Sequence, residues 1–195
     1  MNVGLHFVTP LCYKTISIDN AALENYCYKL QKASNAELLP GGWQSGNIDI
    51  TAIELKPLID RVKLMVEEVK QLYDFKKDIY LTLENGWINI NFPGLNQLPD
   101  NYYHIHPGYF FSFVYYIKAK KNSGDLKLSS TNGILEYLTP DIILNNFNAV
   151  NSSRVLVEPV PGKLIGFPSW MPHHVEPNLS NENRISIAFD CRLHY

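Results

Sequence analysis

Four histidines and one arginine are spaced as a metal-and-anion site would need. His104-Ile105-His106 sits near the middle of the chain, His173-His174 lies far downstream, and Arg184-Ile185-Ser186 begins eleven residues after His173. Residues two apart in an extended segment point to the same side, so His104 and His106 can offer two imidazoles to one ion, and a histidine from a second strand can close the triangle. Neighbours on a strand point oppositely, so His173 and His174 are not both ligands of that ion, and spacing alone leaves their register open. The segment Arg184-Ile185-Ser186-Ile187-Ala188-Phe189 alternates cleanly. Its apolar face, Ile185, Ile187 and Phe189, belongs against a core. That leaves Arg184, Ser186 and Ala188 either for a solvated outer face, the commoner case for such a strand alone, or for a pocket that grips a carboxylate bidentately, and the histidines tip the reading toward the pocket. On the same argument Ser112 and Tyr116 share a face of the Phe111–Ile117 segment and turn toward that pocket. His6 and His194 stand alone and read as structural or solvated.

The elements that would carry these residues are legible from periodicity. Leu11 to Ile18 alternates like a strand, and Asp19-Asn20 then offers a helix start with Ala22, Leu23, Tyr26, Cys27 and Leu30 on one side. A second helix opens at Pro57 and shows an apolar face of Leu58, Ile59, Val62, Met65, Val66, Val69 and Leu72, with Leu64 the one break in its polar side. Beyond residue 78 the texture becomes short β-branched and aromatic segments between Gly, Pro and Asn, predicting strands near 79–84, 86–92, 102–106, 109–118, 125–129, 153–158, 163–167, 171–175 and 184–192. Pro168 to Pro172 and Pro177 bound His173-His174 as a rigid edge. Gly133–Val150 lacks a strand pattern and reads as a lid or binding loop that selects the substrate. Two helices and nine strands predict a mainly β chain with flanking helices (α+β), an antiparallel sandwich or barrel.

Length and composition set the bounds. With 195 residues, 46% of them hydrophobic, one domain (1–195) is expected, with 1–78 supporting a strand-rich 79–195. Lys and Arg number 17 against 19 Asp and Glu, with no basic stripe, so nucleic acid is not implied. No segment is long and apolar enough for a bilayer, and Met1 to His6 has no secretory layout, so a cytoplasmic location is expected. Cys12, Cys27 and Cys191 form no disulfide framework or metal knuckle and read as packed free thiols, with Cys191 close enough in sequence to the arginine strand to approach the metal.

Several runs together resemble a known family. Gly86-Trp87-Ile88-Asn89-Ile90-Asn91, His104-Ile105-His106-Pro107-Gly108, Ser112-Phe113-Val114-Tyr115-Tyr116, Phe167 to His173 and Arg184 to Phe189 are similar to the iron(II)- and 2-oxoglutarate-dependent oxygenases found in marine bacteria and their phages, as are Phe7 to Leu11 and Gly41 to Ser45. The resemblance implies a double-stranded β-helix, the jelly-roll barrel shared with cupins, binding Fe(II) and 2-oxoglutarate. It implies His104, His106 and His173 as metal ligands, and so selects His173 over His174. Arg184 and Ser186 would hold the distal carboxylate of 2-oxoglutarate, with Tyr116, Ser112 and Asn89 beside them. The implied reaction decarboxylates 2-oxoglutarate to succinate and oxidises a C–H bond of a small-molecule or peptidyl substrate. Homodimerisation is left open.

The chain departs from the family where Phe113 replaces a glycine and where Asp125 to Ser130 lacks an Asp-Pro-Arg. His106 stands where most of the superfamily has Asp or Glu. It is either the third ligand or a neighbour behind the ligands, and same-side geometry favours the first. Two rivals remain. A cupin-type metal-binding protein would need a glutamate four or five residues past the second histidine, where Phe110 and Phe111 stand. A non-catalytic jelly-roll binding module would be told apart by its failure to turn over 2-oxoglutarate.

Overall fold

The computed structural model describes residues 1–2, 4–34, 38–98, 101–138 and 144–195. Strand β1 (Cys12–Thr15) leads into helix α1 (Asn20–Ala33), whose start is capped by the Asp19 carboxylate accepting from the Ala22 N–H at 3.0 Å. A short strand β2 (Gly42–Gln44) and a single 3₁₀ turn (Ile53–Leu55) precede helix α2 (Lys56–Leu72), with Pro57 in its first turn. The apolar stripe of α2 is buried as its spacing predicts, from Leu58 to Val69, while Leu64 and Leu72 are exposed. Each such buried aliphatic contributes about 1.5–3 kcal/mol. The exposed Lys56–Asp60 pair at 2.7 Å is worth only about 0.3–0.5 kcal/mol, so packing rather than charge holds α2 in place.

Strands β3 (Tyr80–Asn91), β4 (Phe111–Lys118), β7 (Lys163–Pro168) and β9 (Arg184–His194) build the main sheet with β1 and β2, in the order β1-β7-β4-β9-β3-β2. A smaller sheet has the order β6-β5-β8, from β5 (Leu126–Ser129), β6 (Arg154–Val157) and β8 (His173–Val175). The predicted strands 79–84 and 86–92 are one strand, continuous through a register shift between Leu83 and Asn85. The expected strand at 102–106 does not form. Only His104 finds a partner there, in an isolated antiparallel bridge to His173.

That difference corrects the expected architecture. The fold is a mixed α/β arrangement of two open sheets and not a closed jelly-roll or double-stranded β-helix barrel. β1 and β2 end the large sheet, β6 and β8 end the small one, and neither sheet's order returns on itself. The segment that would have carried a ladder between them contributes one bridge, because Pro107 and Gly108, at φ +86°, turn the chain away. Nor is Gly133–Val150 an open loop throughout. It begins as helix α3 (Gly133–Leu138); residues 139–143 lie outside the described residues.

The large sheet is buried on both faces by different partners. Ile185, Ile187, Phe189 and Cys191 of β9, with Phe111, Phe113 and Tyr115 of β4 and Ile88 and Ile90 of β3, form one core with the buried stripes of α1 and α2. Tyr115, on that apolar side, satisfies its phenol by donating to Asn20 Oδ1 at 2.6 Å. The opposite face meets the small sheet through a second cluster of Tyr116, Leu126, Leu128, Val157, Ile165, Phe167 and Met171. The functional residues occupy the part of this face beside that cluster, and Tyr116 belongs to both.

Candidate metal and 2-oxo acid site

Strand register lines up the pocket side chains in rows. Across β3, β9 and β4, Asn89, Ser186 and Tyr116 are paired neighbours, as are Trp87, Ala188 and Val114; Asn91 lies opposite Arg184, and Asp190 opposite Ser112. These residues, apart from Asn91, line a cavity of about 410 Å³ together with His104, His106 and His173. All eight site residues expected from the sequence therefore face one space.

The three histidines arrive from one loop, which carries His104 and His106, and from the start of β8, which carries His173. His104 and His173 exchange backbone hydrogen bonds, and the His106 N–H donates to Ser169 O at 2.8 Å, which fixes the His-x-His segment against the turn after β7. One ligand atom from each of the three lies within 4.8 Å of the others. Every ring has an acceptor at Nδ1: Tyr102 O for His104 at 2.6 Å, Asp190 Oδ1 for His106 at 2.7 Å, and Met171 O for His173 at 2.9 Å. A proton held at Nδ1 directs each Nε2 to the common centre, the arrangement that metal-binding histidines need. His104 Nε2 and His106 Nε2 are 3.1 Å apart. Two nitrogens at right angles on an ion about 2.1 Å from each would be separated by about 3 Å. Burial, helped by the neighbouring imidazoles, lowers the His173 pKa to about 3, so this ring is neutral and able to coordinate at physiological pH. His174 points away; its ring tilts against Tyr103 on the other side of β8.

Arg184 is the second half of the site. Its guanidinium is buried, with Nη1 donating to Ser123 O at 3.3 Å and Gly124 O at 2.7 Å and Nη2 to Asn91 Oδ1 at 2.8 Å. Nε has no partner, and among the described residues no carboxylate pairs with the charge. Burial brings the Arg184 pKa down to about 10, offset by Tyr116 and Asp125, which leaves it charged at neutral pH. A buried cation with an unused donor is costly unless an anion arrives from outside. Tyr116 is held as a neutral phenol, its pKa raised by burial to about 12, and Asn89 brings a buried amide oxygen without a partner. The residues present therefore fit a divalent ion beside a carboxylate ligand.

Ser112 has a different surrounding from the one expected. Its hydroxyl donates to Asp190 Oδ1 at 2.7 Å and meets Ser169 Oγ at 2.8 Å, so it braces His106 from behind. Asp190, Ser169 and Asn91 were not anticipated. Asp190 was within reach of the sequence, because the alternation Arg184, Ser186, Ala188 continues to it. Cys191 lies on the helix-facing side, away from the histidines. Asn148 to Val150, from the expected selecting loop, line a separate cavity with the N-terminal segment, while Gln44 to Asn47, Ile105, Pro107 and Tyr109 border the histidine pocket.

What can use such a site is a metalloprotein that binds one divalent cation and one carboxylate-bearing ligand side by side. Residues 85–190, more than half of the chain, match the family described as "Putative 2OG-Fe(II) oxygenase", and the chain belongs to that family. It is an Fe(II)- and 2-oxoglutarate-dependent oxygenase. A prolyl-4-hydroxylase from Pseudomonas putida has a similar fold, with a TM-score of 0.62, 16% identity and coverage of 93% of this chain and 92% of that one. An oxidoreductase of the 2OG-Fe(II) oxygenase family from Burkholderia pseudomallei gives 0.57 at 10% identity, over 89% and 77%. The viral collagen prolyl hydroxylase of Paramecium Bursaria Chlorella virus-1 gives 0.55 at 12% identity, over 92% and 90%. At these identities the likeness is one of fold. No curated protein sequence matches the chain.

Proposed function

We propose that His104, His106 and His173 hold the iron and that Arg184, with Ser186 and Tyr116, takes the distal carboxylate of 2-oxoglutarate, in an oxygenase that hydroxylates a small-molecule or peptidyl substrate. The observation that carries this reading is the unpartnered, buried Nε of Arg184 on the same cavity as three converging imidazoles. When bound, iron and 2-oxoglutarate supply the oxidative decarboxylation that yields succinate and carbon dioxide and oxidises the substrate. The protein's own residues orient and shield. Arg184 is immobilised by Ser123, Gly124 and Asn91, so a carboxylate meets a guanidinium already held in place. Tyr116 can donate its phenol proton without ionising. Phe167, edge-on to His173 with centroids 4.9 Å apart, and Trp87, 5.3 Å from His106, form apolar wall of the cavity beside two of the ligands. The rim from Gln44 to Asn47 and Tyr109 is where the substrate would enter.

We also propose that residues 1–195 form one domain and that the chain is related to family members of marine bacteria and phages. No helix of the described residues is long and apolar enough to cross a membrane, and three free thiols suit a reducing cytoplasm. The cupin alternative is disfavoured because Phe110 and Phe111, where its glutamate would stand, pack among Tyr73 and Phe75 on the helix side. The test is anaerobic addition of Fe(II) and 2-oxoglutarate to the pure protein. A visible metal-to-ligand charge-transfer band and thermal stabilisation by 2-oxoglutarate are expected, and absence of both would overturn the assignment. In His106→Ala iron affinity should collapse; an intact affinity would remove His106 from the ligand set.

A further inference from the structure

Three neutral imidazoles leave a divalent ion without an anionic protein ligand, and the carboxylate that the fold sets closest behind them is Asp190. Its Oδ1 accepts from His106 Nδ1 at 2.7 Å and from Ser112 Oγ at 2.7 Å, and Ser112 is itself tied to Ser169 Oγ at 2.8 Å. Asp190 is 4% exposed, and among the described residues its one ion-pair partner is His106. We infer that Asp190 supplies, through His106, the negative charge that the ligands lack, acting as a positioning residue for the metal centre. The inference rests on the reading of the three histidines as ligands.

The physical argument has two sides. From the metal's side, a carboxylate accepting the far N–H of a ligating imidazole fixes its tautomer and raises the donor strength of the coordinating nitrogen. From the carboxylate's side, burial without a cation is costly unless a positive charge lies close, and a dication one imidazole away provides it. The strand register makes this placement systematic. Asp190 pairs with Ser112 across β9 and β4, and the continued alternation of β9 points it into the pocket with Arg184 and Ser186. Stacking of His106 on His104, with centroids 5.1 Å apart at 18°, leaves the ring little freedom to turn from the carboxylate.

The experiment compares wild type, Asp190→Asn and the double variant His106→Asp/Asp190→Asn. The asparagine keeps the shape and one acceptor oxygen, removes the charge and replaces the other oxygen with an NH2 donor. Anaerobic Fe(II) titration should show a loss of about ten- to a hundredfold in affinity for Asp190→Asn. Its Fe(III)/Fe(II) potential should rise, since the ferric ion depends more on nearby negative charge. Moving the charge to position 106 in the double variant should recover most of the lost affinity. An Asp190→Asn protein that binds Fe(II) like wild type at an unchanged potential overturns the inference, and so does a loss that the double variant fails to recover. The ligand reading fails separately: His106→Ala with wild-type iron affinity would remove it, whereas a defective His106→Ala beside an unaffected Asp190→Asn removes only the role of Asp190.

Discussion

His104 and His173 each donate a backbone N–H to the other's carbonyl, both at 3.0 Å. Two of the three candidate ligands are thus joined through the main chain before any ion binds, and the bridge is the one strand-like pairing that the 102–106 segment makes. A metal ion here would tie together side chains whose backbones already meet.

Metal binding should therefore raise the stability of the whole chain. At an Fe(II) concentration about a hundred times the dissociation constant, linkage adds about 2.7 kcal/mol. For a chain of this size that corresponds to roughly 5–10 °C in Tm. Anaerobic thermal melts with and without Fe(II), and after chelation, measure it. His173→Ala should lose the shift; a variant that kept it would show that the ion binds elsewhere.

Arg184 should separate cofactor binding from metal binding. Arg184→Met removes a buried charge-assisted contact to 2-oxoglutarate, a loss of about 3 kcal/mol or on the order of a hundredfold in affinity. Iron affinity should stay near wild type, since no histidine contacts the guanidinium. Titration of 2-oxoglutarate against the charge-transfer band reads the first quantity and Fe(II) titration the second. Equal losses in both would mean that the substitution has disturbed the sheet rather than the clamp.

Much of this site can be read from local pattern. The alternation of β9 sorted Ile185, Ile187 and Phe189 from Arg184 and Ser186 correctly because both faces of that strand are buried against different partners, so each residue's type records its side. Asp190 lies one step further along the same alternation, but an acidic residue at the end of an apolar strand looks like a boundary until its partner Ser112 is known. Closure into a barrel could not be read, because it depends on hydrogen bonds between strands distant in sequence. Tyr102 to His106 has strand composition, yet only His104 makes a strand-like bridge, and the His106 N–H donates instead to a turn carbonyl, Ser169 O. Strand β2 was missed because its three residues, Gly42 to Gln44, are too few to show a period.

The thiols should divide by burial. Cys27 and Cys191 are buried, and desolvation, with Glu24 near the first and Glu84 near the second, pushes both thiols up to about 12. Since the thiolate is the reacting form, neither should react with a disulfide reagent at pH 8 on the timescale of a free thiol. Cys12, half-buried with its pKa also raised by burial, is the one open to slow reaction. A time course with native protein should titrate no more than one thiol, and unfolding in denaturant should release all three. Rapid loss of two or more in the native state would contradict the packing of Cys27 on the buried face of α1 and of Cys191 against the helices.

Gly124 links backbone conformation to the cofactor clamp. Its φ is +90°, and a Cβ there would lie 2.1 Å from the Glu176 carbonyl oxygen, so an alanine cannot be accommodated without moving one of two backbones. The same residue's carbonyl accepts from Arg184 Nη1 at 2.7 Å. Gly124→Ala should therefore cost about 1–3 kcal/mol of stability from the strained backbone alone. It should also pull the guanidinium out of register and weaken 2-oxoglutarate binding. Glu176 follows directly on β8, so a shift on that side would be felt at His173, whereas a shift of the Ser123-Gly124 turn would be felt at Arg184. Measuring Fe(II) and 2-oxoglutarate affinities of Gly124→Ala distinguishes the two, and weakened 2-oxoglutarate with intact iron binding is expected. The reason is that β8 is held by β5 and by His104, whereas the turn is tied to the segment after β8 by two single backbone bonds, Glu176 N–H to Asp125 O and Leu179 N–H to Asn122 O, both at 2.9 Å. Loss of iron affinity first would show that β8 is the softer partner.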